Sequence, residues 1–397
     1  MPARAPGRGP LDTAPHVIGP TRMPAMGAAA RYTLRATHPR DNAIERLGRR
    51  MPRAGLDGVL DDLDRAAARC PVPGEAAAEG YTWDDVDSND PAWWPQGIAG
   101  VRSGSVLLVS WYARRNGLGR TQGSRISVID PSSPDGPRYR HVLLVAPRRR
   151  LGILTMGAVP VHAGGIAVHG DVLHVADTVV GVRLFRLSDV LRVPRPPGSA
   201  GGPARRGWFH RLRQSGGGFA AHGYDYVLPQ LMAFRAPLRP GARRFRFSFL
   251  STGEVAGRPT LVVGEYRRKA EGPARLARYP LDPVTGLPAA GDDGRCSPLE
   301  VHDGQPSRMQ GAAVHGNAWF VTASAGEGAA GDLYVGAPGA WHRHRGVLPS
   351  GPEDLSWSRP GHELWCVSEW PGRRWVFPIA TDRWEGRTTA GRGHAGR

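Results

Sequence analysis

Lysine is nearly missing from this chain of 397 residues: Lys269 is the only one, and every other member of the 52 Lys+Arg residues is arginine. So lopsided a choice is more simply a mark of GC-rich codons than of a phosphate-binding surface. The formal net charge of +17 still requires a nucleic-acid reading to be weighed. The densest arginine runs, "RRRL" from Arg148 and "ARRFRF" from Ala242, fall beside predicted turns and strands and build no basic helix. A solvated surface is the expectation for them, and nucleic acid is not an expected partner. Cysteine is scarce: Cys70, Cys296 and Cys366 show no C-x-x-C spacing, so one disulfide plus a free thiol is allowed and nothing requires it. Long apolar runs are missing, so no membrane span is expected. The first thirty residues lack the apolar core of an export signal, which leaves a cytoplasmic protein or a different translation start. There is no G-x-S-x-G elbow and no phosphate-binding P-loop.

What is abundant is glycine (54) and proline (37), spread through the chain, together with 12 tryptophans. Many short strands joined by tight turns suit that composition better than long helices. Residues 1–40 read as a disordered N-terminal segment. Residues 41–80 read as a short helical lead-in, because Leu56, Val59, Leu60 and Leu63 fall at i, i+3, i+4 and i+7, one face of a short helix over Leu56–Ala68. Residues 81–380 carry strand patterns, and 381–397 form a glycine-rich basic tail expected to be disordered.

Within 81–380 one pattern recurs five times. "PQGIAGV" at Pro95, "GGIAVHG" at Gly164, "RFSFLST" at Arg246, "MQGAAVHG" at Met309 and "PEDLSWS" at Pro352 each open a triplet of short strands. The second runs are "SVLLVSW", "DVLHVAD", "TLVVGEY", "NAWFVTA" and "ELWCVSE". The third are "SRISVID", "VRLFRL", "ARLARYPL", "GDLYVG" and "RRWVFPI", and one copy shows a fourth, "RYRHVLLV". A repeated unit of three to four antiparallel strands predicts an all-β protein, a β-propeller of five or six blades with a short N-terminal helix. A sixth unit would have to be sought in Tyr224–Phe234. A β-sandwich could use as many strands but has no reason to repeat a triplet. The ring must close, and "YTWDD" at Tyr81 is the candidate outer strand for the last blade.

Long phrases such as "HAGGIAVHGDVLHVADTVVGVRLF" and "MQGAAVHG" resemble a group of uncharacterised actinobacterial proteins described only as secreted. The likeness runs from Trp93 to Phe377. It implies a propeller-like fold and an extracytoplasmic home, although this chain shows no signal peptide. It implies no activity and no catalytic residues.

The repeat itself says where a site would form. First strands line the axis of a propeller, and their starts share one face of the disc with the ends of the second strands. The starts carry Gln96, His162, Arg246, Gln310 and Glu353 with Asp354. The ends carry Trp111, Asp177, Glu265, Ala323 and Glu369. A ligand-binding set of Gln96, Trp111, His162, Asp177, Glu265, Gln310, Glu353 and Glu369 follows, for a small polar molecule, a glycan or a peptide, in a protein expected to be a monomer. Trp94, Trp111 and Trp370 would offer aromatic faces. The competing reading is a lactone or ester hydrolase in which Asp177, Glu265 and Glu369 hold calcium and His162 or Glu353 acts as a base. Against it stands the simpler role of these carboxylates as partners of Arg183, Arg308 or Arg373. "DDVDSND" (Asp84–Asp90) alternates oxygen ligands but lacks the glycine of a calcium loop, and an acidic strand edge or turn is expected there. His162, His169 and His174 fall on different strands and their turn and make no zinc set. "HRH" (His342–His344) is expected in a solvated loop, and the glycine-rich 198–219 stretch in a loop between blades.

Overall fold

Alternating apolar and polar residues, cut by glycine turns every few positions, form strands too short to bury both faces alone. The computed structural model describes residues 30–115, 117–119, 121–150, 153–194, 223–237, 243–358, 363–381 and 383–384. The glycine-rich 198–219 stretch and most of the basic tail lie outside these. Within them the chain forms a β-propeller, built from antiparallel units of four strands taken in sequence order. The first unit is Trp93–Val101, Val106–Ala113, Ser124–Asp130 and Arg138–Arg150; the second is Ile166–His169, Val172–Asp177, Gly181–Arg186 and Tyr226–Arg235. The third is Phe249–Val255, Arg258–Gly264, Ala274–Pro280 and Glu300–Gln305, and the fourth is Met309–His315, Ala318–Ala323, Ala330–Ala337 and Ala340–Ser350. The fifth takes Pro352–Ser358, Glu363–Ser368 and Trp375–Ala380 from the C-terminal end and its outer strand, Gly80–Thr82, from the N-terminal end, with Thr82 opposite Trp375. That is the closing joint expected of the "YTWDD" segment. Tyr226–Arg235, the stretch searched for a sixth unit, is instead the outer strand of the second.

The first strands of successive units pack side by side around the axis, and the fifth returns to the first. The axis is too tight for side chains at the glycines that recur in the strand-opening phrases, Gly97, Gly165 and Gly311. A Cβ on Gly165 would stand 2.2 Å from the backbone nitrogen of Leu250, and one on Gly311 would stand 2.7 Å from the Cα of Asp354. The recurring glycine is thus a packing requirement of the ring. Asp354 ties three units together: its buried carboxylate accepts from the amides of Ile98 (3.3 Å) and Ile166 (3.0 Å). Apolar clusters fill the spaces between neighbouring units, as between Leu250 and Leu261 of the third and Ala167 and Leu184 of the second.

The segment before the ring departs from expectation. Residues 30–40, read as disordered, contain a 3-10 turn (Ala30–Tyr32) and a strand (Leu34–Ala36). That strand pairs with both Tyr226–Arg235 and Arg295–Cys296 and so joins the second unit to the third. The lead-in at 41–80 holds two helices, Asp41–Gly48 and Gly55–Leu60, followed by strands Arg65–Ala66 and Ala68–Cys70. The expected helix face is used, since Val59 is buried with Leu56, Leu60 and Leu63 packed beside it, but the helix stops at Leu60. Arg65–Ala66 then pairs with the outer strand of the first unit. The Ala76 amide reaches Val347 of the fourth. Residues 34–80 are therefore a strap that touches all of the units and covers sheet edges otherwise open to pairing.

Candidate functional site

A cleft of about 730 Å³ opens at one end of the axis. Each unit contributes a residue ahead of its first strand or in the first half of it: Gln96, His162, Arg246, Gln310 and Glu353 all line it. Among the expected second-strand ends, only Glu369 does. Asp177, Glu265 and Trp111 are placed elsewhere, each for a clear reason.

Trp111 is wholly buried, with its indole nitrogen donating to Ser127 Oγ at 2.8 Å and its ring 4.6 Å from that of Trp83. Asp177 folds the turn behind the cleft: one oxygen accepts from the amides of Val179 (2.8 Å) and Val180 (3.0 Å), the other from Arg183 (2.7 Å). Glu265 is enclosed by arginines, at 2.8 Å from Arg275 and 3.1 Å from Arg267, and also accepts the Arg246 amide at 2.9 Å. Burial alone would raise the Glu265 carboxyl, but the hydrogen bonds from Arg275 and Arg267 hold it below its ordinary value. The calcium trio of Asp177, Glu265 and Glu369 is thus not brought together, and two of its members are already saturated by arginine and backbone donors. No group of three or more His, Cys, Asp or Glu side chains suited to a metal ion occurs among the described residues.

After Asp177 and Glu265, the residue one step further along does reach the cleft. Thr178 and Tyr266 line it, and Tyr112 stacks on the His162 ring, with centroids 4.0 Å apart. Successive side chains on a strand point to opposite faces, so a register one residue short exchanges lining for core. The sequence reading also missed an arginine wall. Arg243, Arg244, Arg246 and Arg267, all attached to the third unit, line the cleft. The run "ARRFRF", expected on a solvated surface, alternates: Phe245 and Phe247 are buried in the core while Arg244 and Arg246 face the cleft. That period of two was the available signal.

Opposite the arginines lies a chain of hydrogen bonds. The Gln96 amide donates to Glu369 at 2.9 Å, and the Gln310 amide to Glu353 at 2.7 Å. Glu353 and Glu369 are hydrogen-bonded to each other. Burial, reinforced by the Glu369 charge, keeps the Glu353 carboxyl well above the usual carboxylate range. Burial likewise pushes Glu369 up to about 7, despite the opposing hydrogen bonds from Gln96 and Glu353. Two such carboxyls cannot both ionise cheaply in contact, so near neutrality they share a proton. Burial lowers His162 to about 4, leaving it neutral. Burial and then the charges of Glu369 and Glu353 raise the Tyr112 phenol.

Other expectations shift. "DDVDSND" is neither a calcium loop nor a strand edge: Asp84 caps the short helix Asp85–Asn89 by accepting from the Asp87 amide at 2.8 Å. Asp87 then forms the clasp between the strap and the first unit, meeting Arg65 (2.9 Å), Arg125 (2.8 Å), Tyr139 (2.7 Å) and His141 (2.8 Å). His141 in turn meets Ser127 at 2.9 Å. The resulting serine–histidine–aspartate chain lacks access, because Ser127 is fully buried beneath Trp111 and does not line the cleft. His342 and His344 lie in the strand Ala340–Ser350 rather than a loop, with His344 buried 4.7 Å from the Trp384 ring. His174 is buried, and its ring faces the Ala167 carbonyl. Trp94 is buried 5.1 Å from the Trp370 ring, so it offers no free face. All three cysteines are free thiols. Among the described residues no helix is long and apolar enough to cross a membrane.

No family profile matches the chain, and no curated protein matches it. Solved structures with similar chain paths include a gluconolactonase from Xanthomonas campestris, 15% identical over 80% of this chain and 87% of that one, with a TM-score of 0.35. A GH43_1 enzyme from Xanthomonas citri complexed with xylose is 9% identical over 83% and 93%, also with a TM-score of 0.35. An endo-arabinase from Bacteroides thetaiotaomicron is 9% identical over 72% and 91%, again at 0.35. Likeness this distant carries no argument about activity, and the architecture above rests on this chain's own strand order.

Proposed function

We propose that this protein is a ligand-binding β-propeller whose axial cleft takes up a small polyhydroxylated molecule of the glycan class. One observation carries the reading. The chain Gln96–Glu369–Glu353–Gln310, drawn from three units, presents amide and carboxyl groups side by side to an open cleft. A carboxyl pair sharing a proton, flanked by amides, both donates and accepts, which is what hydroxyl groups need. The volume suits a ligand of one or a few sugar rings. The test is a panel of mono- and disaccharides and short peptides titrated against the full chain, observed by ligand-detected NMR. Sugar binding that is lost in Gln96→Ala and Gln310→Ala supports the reading. Binding of peptides alone, or sugar binding indifferent to both substitutions, overturns it.

A hydrolytic reading is favoured by a different observation: a carboxyl titrating at about 7 in a cleft is suited to general acid–base work. The calcium-dependent version has little support, since only Glu369 of its three ligands reaches the cleft. Turnover of sugar lactones or aryl esters that disappears in Glu369→Gln would favour hydrolysis. Its absence across such a panel would leave binding alone.

A further inference from the structure

Resting on that binding reading, we propose that the ligand is a sugar acid: a polyol ring carrying one carboxylate, which pairs with the arginine wall while its hydroxyls meet the Gln–Glu chain opposite. Five arginines (Arg243, Arg244, Arg246, Arg267 and Arg275) stand around the wall or directly behind it. Among the described residues, the carboxylates in ion-pair contact with them are three: Glu265, Glu271 and Asp303. The wall therefore keeps an excess of positive charge, with Arg243, Arg244 and Arg246 exposed to the cleft and Arg267 and Arg275 buried behind them.

The crowding is visible at Arg243. Burial lowers its guanidinium below the ordinary arginine value, and the charges of Arg275 and Arg267 add to the effect. An anion between these groups would relieve that repulsion. A neutral sugar would bury the wall without doing so. Planar guanidinium forks also suit a carboxylate, which can accept two parallel N–H bonds.

Ring order supplies the second constraint. The first strands meet in the sequence one, two, three, four, five and back to one, so the third unit faces the gap between the fifth and the first. The wall on the third unit therefore lies across the axis from Glu353 and Glu369 of the fifth and Gln96 of the first. A ligand spanning the cleft meets positive charge at one end and a carboxyl pair at the other. A compact multiply charged anion would gain at the wall but press its remaining charge on the acid pair. One carboxylate at one end of a hydroxylated ring matches both walls.

The probes are D-glucuronate, D-glucose and inorganic sulfate, titrated into the full chain at pH 6.5 by calorimetry or ligand-detected NMR. The variants are Arg246→Gln and Arg244→Gln, both exposed enough to be replaced without opening the core, with melts and circular dichroism to verify folding. The expected result is that glucuronate binds at least ten-fold more tightly than glucose. At least one arginine variant should abolish the ten-fold preference, bringing glucuronate down to the level at which the same variant binds glucose. Equal affinity for the two sugars, or a glucuronate preference that survives both variants, overturns the sugar-acid inference and leaves glycan binding standing. Sulfate binding without glucuronate binding also overturns it, since the wall is then only a general anion patch. No response to either sugar removes this inference together with the reading beneath it.

Discussion

Glu353 and Glu369 face one another at the mouth of the propeller axis, joined by a hydrogen bond and flanked by one glutamine each, Gln310 at 2.7 Å and Gln96 at 2.9 Å. The pair links electrostatics to stability with a definite sign. The Glu369 carboxyl sits at about 7 in the folded chain, whereas an unfolded glutamate titrates near ~4.3. The folded protein thus retains a proton that the unfolded chain releases between those values. Stability from this group is fully present below about pH 4 and is lost as pH climbs through 7. Glu369→Gln removes the ionisation. The variant should match the parent at pH 4 and exceed it at pH 8 by about 3 kcal/mol in urea unfolding. A variant equally destabilised at both values would show that the pair does not share a proton in this way.

The clasp at Asp87 has the opposite sign. Burial would raise this carboxyl, but His141 and Arg125 against it bring it well below the carboxylate range. Its contribution is present above an unfolded value of about 3.9 and lost only in strong acid. Asp87→Asn keeps the shape but leaves Arg65 and Arg125 facing a neutral group in the core. A loss of about 3–5 kcal/mol at pH 7 is expected. The Asp87 backbone also accepts from Arg374 of the fifth unit at 2.6 Å, so the loss should come with earlier exposure of the closing strand Gly80–Thr82. Hydrogen exchange at Tyr81 and Thr82 checks this. Unchanged protection there, with stability held, would mean that the clasp does not secure closure.

The ring, and the convergence of its strand starts on one cleft, were legible because both follow from backbone repetition. Gly165 and Gly311 recur where first strands crowd the axis, and the residues at the strand starts, Gln96, His162, Gln310 and Glu353, converge on one cleft. The second-strand ends were misjudged by one pleat at Trp111, Asp177 and Glu265. Each ends an apolar run, and nothing local says whether the last side chain turns inward or outward. Arginine pairing was equally hidden, since Arg275 reaches Glu265 from the neighbouring strand. The strap was read as disorder and helix because its short strands gain their order from edges far along the chain: Leu34 lies beside Cys296.

That one-pleat difference separates two neighbouring aromatics. Trp111 belongs to the core and Tyr112 to the His162 stack beside the acid pair. Trp111→Ala should cost about 3–5 kcal/mol of stability. Tyr112→Phe keeps the ring on His162 and should change stability by under about 1 kcal/mol, while altering affinity for whichever sugar binds the parent. The reverse pattern, with affinity following Trp111 and stability following Tyr112, would place the second strand in the other register.

The tightness of the axis can be tested with one methyl group. At Gly165 an added Cβ meets backbone, not a side chain: the Leu250 nitrogen at 2.2 Å and the Phe249 Cα at 2.5 Å. No rotamer change relieves such a contact, so the first strands of the second and third units must separate. Overpacking of this kind costs about 1–3 kcal/mol and more where backbone must shift, and Gly165→Ala is expected at or above the upper end. Gly257, in a turn between the first two strands of the third unit with nothing near its Cβ, is the control. Its positive φ of 73° makes Gly257→Ala costly by roughly 1 kcal/mol through backbone strain alone. If denaturant melts rank Gly165→Ala as the milder of the two, the first strands are not packed against one another, and the cleft they frame has no rigid floor.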